Sequence, residues 1–316
     1  MTPFLKLKPT SLELKEEMNA PYVGAKHRVT VGNGLDALRI ALVAHDIEPS
    51  DKVIVPAHMD ASPLEGAMTR TTKAIIPVHL YGQSADMDPS CEFSPRHGLV
   101  VIGDTAQAHR ACFRGKMCGA LRHAAAFSFY PRKNLGAFSV GGAITTNDDA
   151  VARRACKLRN NGSEKCYHHQ VAGTDSRLDQ LQAVFLRVKL RNLAEWNLRR
   201  AAITERYQFQ LSTLRSWLSL SFVHQWSAPV WQLFMIRSNK RDLLQQHSVD
   251  RGIQTVIHYP MLPYRGPAYQ SHRELSFALT EEIIRRILSL LCGPHFTTEQ
   301  IEACANQINS SMEFQR

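Results

Sequence analysis

The stretch "AFSFYPRKNLGAFSVGGAI", Ala126 to Ile144, is apolar on the way in and apolar and glycine-rich on the way out, with two cations, Arg132 and Lys133, between. Most lysines lie on solvated faces. A lysine set between a buried strand and a Gly-Gly turn is either an ordinary loop residue or an amine kept in a poorly hydrated pocket for chemistry.

Outward from this stretch, short β-branched runs alternate with helical ones. Lys52–Pro56, Lys73–Val78, Leu99–Asp104 and Ala124–Phe129 read as buried strands. "LDALRIALVAHDI" and "SRLDQLQAVFLRVKLRNL", the second from Ser176 to Leu193, have apolar residues at helical spacing. Such alternation implies an α/β fold with a mainly parallel sheet. Another helix is expected from Arg199 to Leu214. Strands are expected in "VWQLFMIRS" and "GIQTVIHYP", followed by the amphipathic segments "TEEIIRRILSL" and "TTEQIEACANQI". This divides the chain into a large domain, 1–198, and a small C-terminal α/β domain, 199–316.

Composition narrows the class. A chain of 316 residues, 44% of them hydrophobic, can bury a large core and suits about two domains. No apolar run is long enough to span a bilayer. The start, "MTPFLKLKPTSLELKEEM", is charged and broken by prolines, unlike a signal peptide. The 7 cysteines form no CxxC pair, which points to reduced thiols in a cytoplasmic protein and no metal site. The net charge of +10 comes from dispersed Lys and Arg with no recognition motif. It favours attraction of phosphorylated small molecules over nucleic-acid binding.

Ligands of open parallel sheets bind beyond the carboxyl ends of the strands. Three features fall there. "VTVGNGLDAL" passes from a strand through Asn33-Gly34 into a helix, a simple cap or a phosphate-binding turn. "LVVIGDTAQAH" ends a strand with Asp104, a helix cap or a partner for a ring nitrogen, with Gln107 and His109 on the same rim. Ser128 closes the next strand and Lys133 follows it. A hydroxyl for a phosphate, an amine for a carbonyl and an acid for a pyridinium are what pyridoxal phosphate needs.

The segments "NGLDAL", "PVHLYGQ", "DTAQAH", "FSFYPRKNLGA", "LRNNG", "SRLDQLQAVFLRVKL" and "GPHFTTEQIEA" resemble the sugar aminotransferases of the DegT/DnrJ/EryC1/StrS family. The resemblance implies a fold-type-I pyridoxal-phosphate enzyme. By position, Lys133 is implied to be the lysine joined to the cofactor, Asp104 the partner of its pyridine nitrogen, and Gln107 a neighbour of its ring hydroxyl. Gly34, Leu35 and Ser128 are implied to hold the phosphate. Asp175 stands where the family has an Asn that reaches the neighbouring subunit's cofactor phosphate. His79, His258 and Tyr259 are candidates for the substrate pocket, as is Arg177 from the other subunit. Family members that dehydrate carry His in place of the lysine, so Lys133 implies transamination.

The wording is most similar to enzymes that aminate C3 of dTDP-3-keto-6-deoxyhexoses with glutamate as donor, for deoxyamino-sugar and glycan biosynthesis. The implied assembly is a homodimer, with no membrane and no nucleic acid. A 4-keto-sugar aminotransferase and a degenerate, non-catalytic member are the alternatives. Two departures support the last, together with reduced activity. Family text is expected but missing near residue 20, and again after His58, where an aromatic lid over the cofactor ring is implied. Gly103 replaces a usual Glu, Arg110 a usual Gly, and "SVGG" a usual Gly-Asp-Gly-Gly.

Overall fold

The computed structural model describes residues 23–56, 64–165, 167–214, 216–272 and 274–311. The two joins expected near residue 20 and after His58 fall largely on 1–22 and 57–63, outside the described residues. The chain forms two compact units, one of residues up to Trp196 with His224–Val230, the other of Asn197–Val223 with Trp231 onward.

The first unit is built on a six-stranded sheet: β1 (His27–Val31), β2 (Lys52–Ile54), β3 (Thr72–Ile75), β4 (Val100–Asp104), β5 (Ala124–Ser128) and β6 (Gly142–Thr146). Their spatial order is β1-β6-β5-β4-β3-β2. β2 to β5 run parallel, as the apolar runs predict, while β6 is antiparallel to both β5 and β1. β1 and β5 therefore share a direction and end at the same edge. There Gly142 stands opposite both Val31 and Ser128, and Asp104 is paired with Ala126 one strand further in.

Helix α1 (Gly34–Ala44) follows β1 and buries Ala37, Ile40, Ala41 and Ala44 against Val31, Ala124, Ala126 and Ile144 of the sheet. Asn33 caps it, its side chain accepting the Asp36 N–H at 2.9 Å. Further helices of this unit include α2 (Asp88–His97) and α3 (Asp149–Leu158). On the opposite side from α1, Phe127, Phe129 and Leu135 pack with Ala183, Leu186, Leu190 and Leu193.

Those last four residues belong to α4 (Gln180–Gln210), one unbroken helix of 31 residues. The sequence pattern predicts a helix ending at Leu193 and another starting at Arg199. No Gly or Pro lies between them, so nothing interrupts the hydrogen-bond ladder.

The second unit contains an antiparallel three-stranded sheet, β7 (Leu218–Leu220), β8 (Phe234–Ser238) and β9 (Ile287–Leu290), in that spatial order. Helices α5 (Arg241–Asp250), α6 (Ala278–Arg286) and α7 (Thr298–Ser310) complete it. Thr297 and Gln300 form a reciprocal capping box on α7. Two expectations fail here. "GIQTVIHYP" forms no strand, only a single bridge from Val256 to Ser289. "TEEIIRRILSL" leaves the helix at Arg286 and its last four residues become β9, all of them buried. The β-branched Ile287 gains more from pairing with Arg237 in a sheet than from another helical turn.

Candidate active site

The carboxyl edge shared by β1, β4 and β5 brings together Gly34, Leu35, Asp104, Gln107, Ser128 and Lys133. Gly34 is packed so closely on β5 that a Cβ there would lie 2.6 Å from Ser128 Cβ and 3.0 Å from its hydroxyl. Gly142 is equally constrained, since a Cβ on it would come within 2.4 Å of the Asn33 carbonyl oxygen. These two bare positions let the first turn of α1 descend onto the Ser128 hydroxyl. Its first amides, Gly34 and Leu35 among them, have no acceptor within the helix and the helix dipole adds positive potential, so the turn is suited to a phosphate.

A half-buried network fixes this turn. Ser176 Oγ donates to Asp36 Oδ2 at 2.6 Å and accepts the Gly32 N–H at 2.9 Å. Asn33 Nδ2 donates to the same carboxylate at 3.0 Å. The neighbours of Ser176 are the expected site residues Asp175 and Arg177. They form a bidentate ion pair, with Arg177 Nε 2.8 Å and Nη2 3.2 Å from the Asp175 carboxylate. The guanidinium thus offsets the charge of Asp175.

Asp104 is half-buried, and one carboxylate oxygen accepts the Ala106 N–H at 3.0 Å. Burial raises its pKa above the ordinary carboxylate value, opposed by the Ala106 N–H and by Lys133. Burial likewise lowers the Lys133 amine, opposed by Asp104 and aided by Arg132. Gln107 Oε1 accepts the Tyr81 N–H at 2.6 Å. His109, fully enclosed beside Phe127 and Phe129, has its pKa pushed down to about 3, by burial first and then by Lys133.

His79 is 1% exposed. Its Nδ1 accepts the Ala85 N–H at 3.1 Å. Its Nε2 would lie 3.2 Å from a Cβ on Gly103, the position where a Glu was expected. The ring is enclosed by protein and presents no surface to a sugar. His258 and Tyr259 belong to the second unit, where His258 Nδ1 is 2.7 Å from Ser289 Oγ and Tyr259 is exposed. Arg110, where a Gly was expected, has a left-handed backbone with φ 75°, a conformation that glycine adopts without steric cost.

Sequence reading missed Asn134, whose Nδ2 donates to the Val230 carbonyl at 2.8 Å, and the Ser176–Asp36 bond. Both join residues about a hundred or more positions apart, and no local pattern carries such a contact.

The DegT/DnrJ/EryC1/StrS aminotransferase family profile matches residues 5–59 and 58–309. The chain belongs to this family. It is 43% identical to the erythromycin biosynthesis sensory transduction protein EryC1 of Saccharopolyspora erythraea, covering 89% of this chain and 84% of that one. It is 41% identical to a dTDP-3-amino-3,4,6-trideoxy-alpha-D-glucose transaminase of Streptomyces venezuelae, covering 92% and 84%. The crystal structure of S. venezuelae DesV in complex with a ketimine intermediate matches with a TM-score of 0.93 at 39% identity, covering 96% of this chain and 90% of that one.

The DegT-family aminotransferases are pyridoxal-phosphate enzymes, and the residues present fit that group. The Gly34–Ser128 cradle would be filled by any Cβ at position 34. Asp104 offers a carboxylate, and Lys133 an amine shifted toward neutrality. Among the described residues no helix is long and apolar enough to cross a membrane.

Proposed function

We propose that this aminotransferase acts on a nucleotide sugar, moving an amino group from glutamate to C3 of a dTDP-3-keto-6-deoxyhexose in deoxyamino-sugar biosynthesis. The observation that carries the reading is the convergence of Lys133, Asp104, Ser128 and the start of α1 on one sheet edge. The substrate class is supported by relatives named as dTDP-3-amino-sugar transaminases, at 41% and 39% identity. Others, at 35%, are named for UDP- and GDP-linked sugars.

Each residue has a role in this reading. The amides of Gly34 and Leu35 and the Ser128 hydroxyl hold the cofactor phosphate. Asp104 keeps a proton on the pyridine nitrogen, and Gln107 orients the ring from its hydroxyl side. Pyridoxal phosphate, when bound, supplies an electron sink for the bond being broken. Lys133 Nζ, kept nucleophilic by burial, would hold the cofactor's aldehyde carbon and, once the incoming amine had displaced it, would carry the proton that must move to or from the sugar carbon. Arg177 neutralises Asp175.

A homodimer belongs to the same reading. It is supported by apolar side chains left exposed beside the Lys133 loop, among them Leu35 at 76%, Phe138 at 64% and Leu181 at 60%. Sedimentation at micromolar concentration tests it, and a stable monomer overturns it.

The deciding experiment is glutamate-dependent transamination of dTDP-3-keto- and dTDP-4-keto-6-deoxyhexoses. Turnover of the 3-keto sugar is expected; exclusive turnover of the 4-keto sugar overturns the regiochemistry. A second reading, a cofactor-binding member with little turnover, is favoured by one observation: the match to the family breaks at residues 58–59. Borohydride trapping of the cofactor on Lys133 without turnover of either sugar would support that reading.

A further inference from the structure

The loop that carries Lys133 is tethered to α4 by two side chains far away in sequence. Gln182 Oε1 accepts two consecutive backbone N–H groups, Phe138 at 2.9 Å and Ser139 at 3.1 Å. Lys189 Nζ donates to the Gly136 carbonyl at 2.7 Å and also lies 4.6 Å from the centroid of the Phe138 ring. Phe185, between them on the same helix face, packs edge-on against Phe138 with ring centroids 4.3 Å apart. Positions 182, 185 and 189 are three and four apart, so they form one stripe. The adjacent stripe, Ala183, Leu186, Leu190 and Leu193, is buried in the core.

Toward Lys133 the loop has little slack. Ala137 N–H donates to the Phe129 carbonyl at 2.8 Å, and Lys133 N–H to that of Tyr130 at 2.9 Å. Gly136 is folded so tightly over Pro131 that a Cβ on it would stand 2.2 Å from the Pro131 carbonyl oxygen. A shift of residues 136–139 is therefore passed back to Lys133 rather than absorbed. We infer that Gln182 and Lys189 are positioning residues for the Lys133 amine, holding its loop so that Nζ stays enclosed opposite Asp104. This rests on the assignment of Lys133 as the cofactor-linked lysine.

Four variants test it: Gln182→Met and Lys189→Met, which remove the tethers, and Gln182→Glu and Lys189→Arg, which keep an acceptor or a cationic donor. Three measurements separate positioning from folding. They are pyridoxal phosphate affinity by absorbance titration, the pH of half-maximal cofactor attachment by borohydride trapping, and the thermal midpoint without cofactor. A hydrogen-bond set of this size corresponds to about tenfold in affinity. Each Met variant is expected to lose about tenfold and to need a higher pH for attachment, because a better hydrated amine regains its ordinary pKa. The Glu and Arg variants should stay within about twofold, and all cofactor-free midpoints should stay close to that of the unmodified chain.

Met variants that match the unmodified chain in affinity and attachment pH overturn the inference. So do Glu and Arg variants as impaired as the Met ones, since only bulk packing then matters. If Gln182→Met does not fold, the Lys189 pair decides alone. Trapping on a lysine other than Lys133 in the unmodified chain overturns the underlying assignment and the tether with it. Trapping on Lys133 with unaffected Met variants overturns the tether only.

Discussion

Burial pushes both the Lys133 amine and the Asp104 carboxyl toward neutrality, and the attraction between them pulls each back. The amine must be neutral to attack a carbonyl, so its lowered pKa sets the pH at which the cofactor attaches. Attachment is expected to speed up with rising pH and level off below 10.5, the unshifted lysine value. Stopped-flow absorbance checks this, and a half-maximum at the ordinary lysine value refutes it. Asp104→Asn keeps the shape but cannot stabilise a pyridinium proton. Losing a preorganised charge of this kind costs a factor of about a hundred or more in rate. That variant should still bind the cofactor, since the phosphate cradle is untouched and losing the Asp104 charge only lowers the Lys133 pKa further, while kcat collapses. Spectra of the bound cofactor beside steady-state rates would separate these two effects.

Among elements, the strand–turn–helix around Gly34 is the most demanding. An alanine at position 34 collides with Ser128 Cβ, a backbone-anchored atom that cannot swing away. Overpacking of this kind costs about 1–3 kcal/mol. Gly34→Ala is expected to lower the thermal midpoint and weaken cofactor binding. Adding Ser128→Gly should recover part of the midpoint, because the closest approach is relieved and only the 3.1 Å contact with the Cα of residue 128 remains, but not the affinity, because the phosphate loses its hydroxyl partner. Recovery of both would mean that the Ser128 hydroxyl does nothing. The turn was readable in sequence because its glycine, cap and following apolar period are local. Lys52–Ile54, Val100–Asp104 and Ala124–Ser128 were readable as strands for the same reason. What escaped was set by tertiary partners. The end of "TEEIIRRILSL" becomes β9 because β8 offers it a ladder, and α4 continues through the residues between the two expected helices. Gln182 and Lys189 look like surface residues of a helix until the loop 43 to 53 positions upstream is folded against them.

At the scale of the whole molecule, buried neutral histidines make folding sensitive to mild acid. His79, enclosed without a charged neighbour, has its pKa lowered to about 4 by burial, and His109 is lowered to about 3. In the unfolded chain both take up a proton near 6.5. Between 6.5 and about 4 the unfolded state therefore binds more protons than the folded one, so stability falls as pH falls. Each such group contributes a slope of about 1.4 kcal/mol per pH unit. His45 and His123, also lowered by burial, act in the same direction. The surface carboxylates of Asp46 and Asp149 do not contribute in this window. Arg154 holds the first below 3.8 and Lys26 the second, so their stabilisation is lost only at lower pH. Asp104 acts in the opposite sense, because its raised pKa lets the folded state gain a proton first. The urea midpoint is thus expected to drop between pH 6.5 and 4.5. In His79→Gln, whose amide oxygen can still accept the Ala85 N–H but cannot titrate, that drop should be visibly shallower. An unchanged pH slope in His79→Gln would mean that His79 is protonated in the folded protein, with a buried acceptor for its Nε2 that the enclosed Gly103 side does not provide.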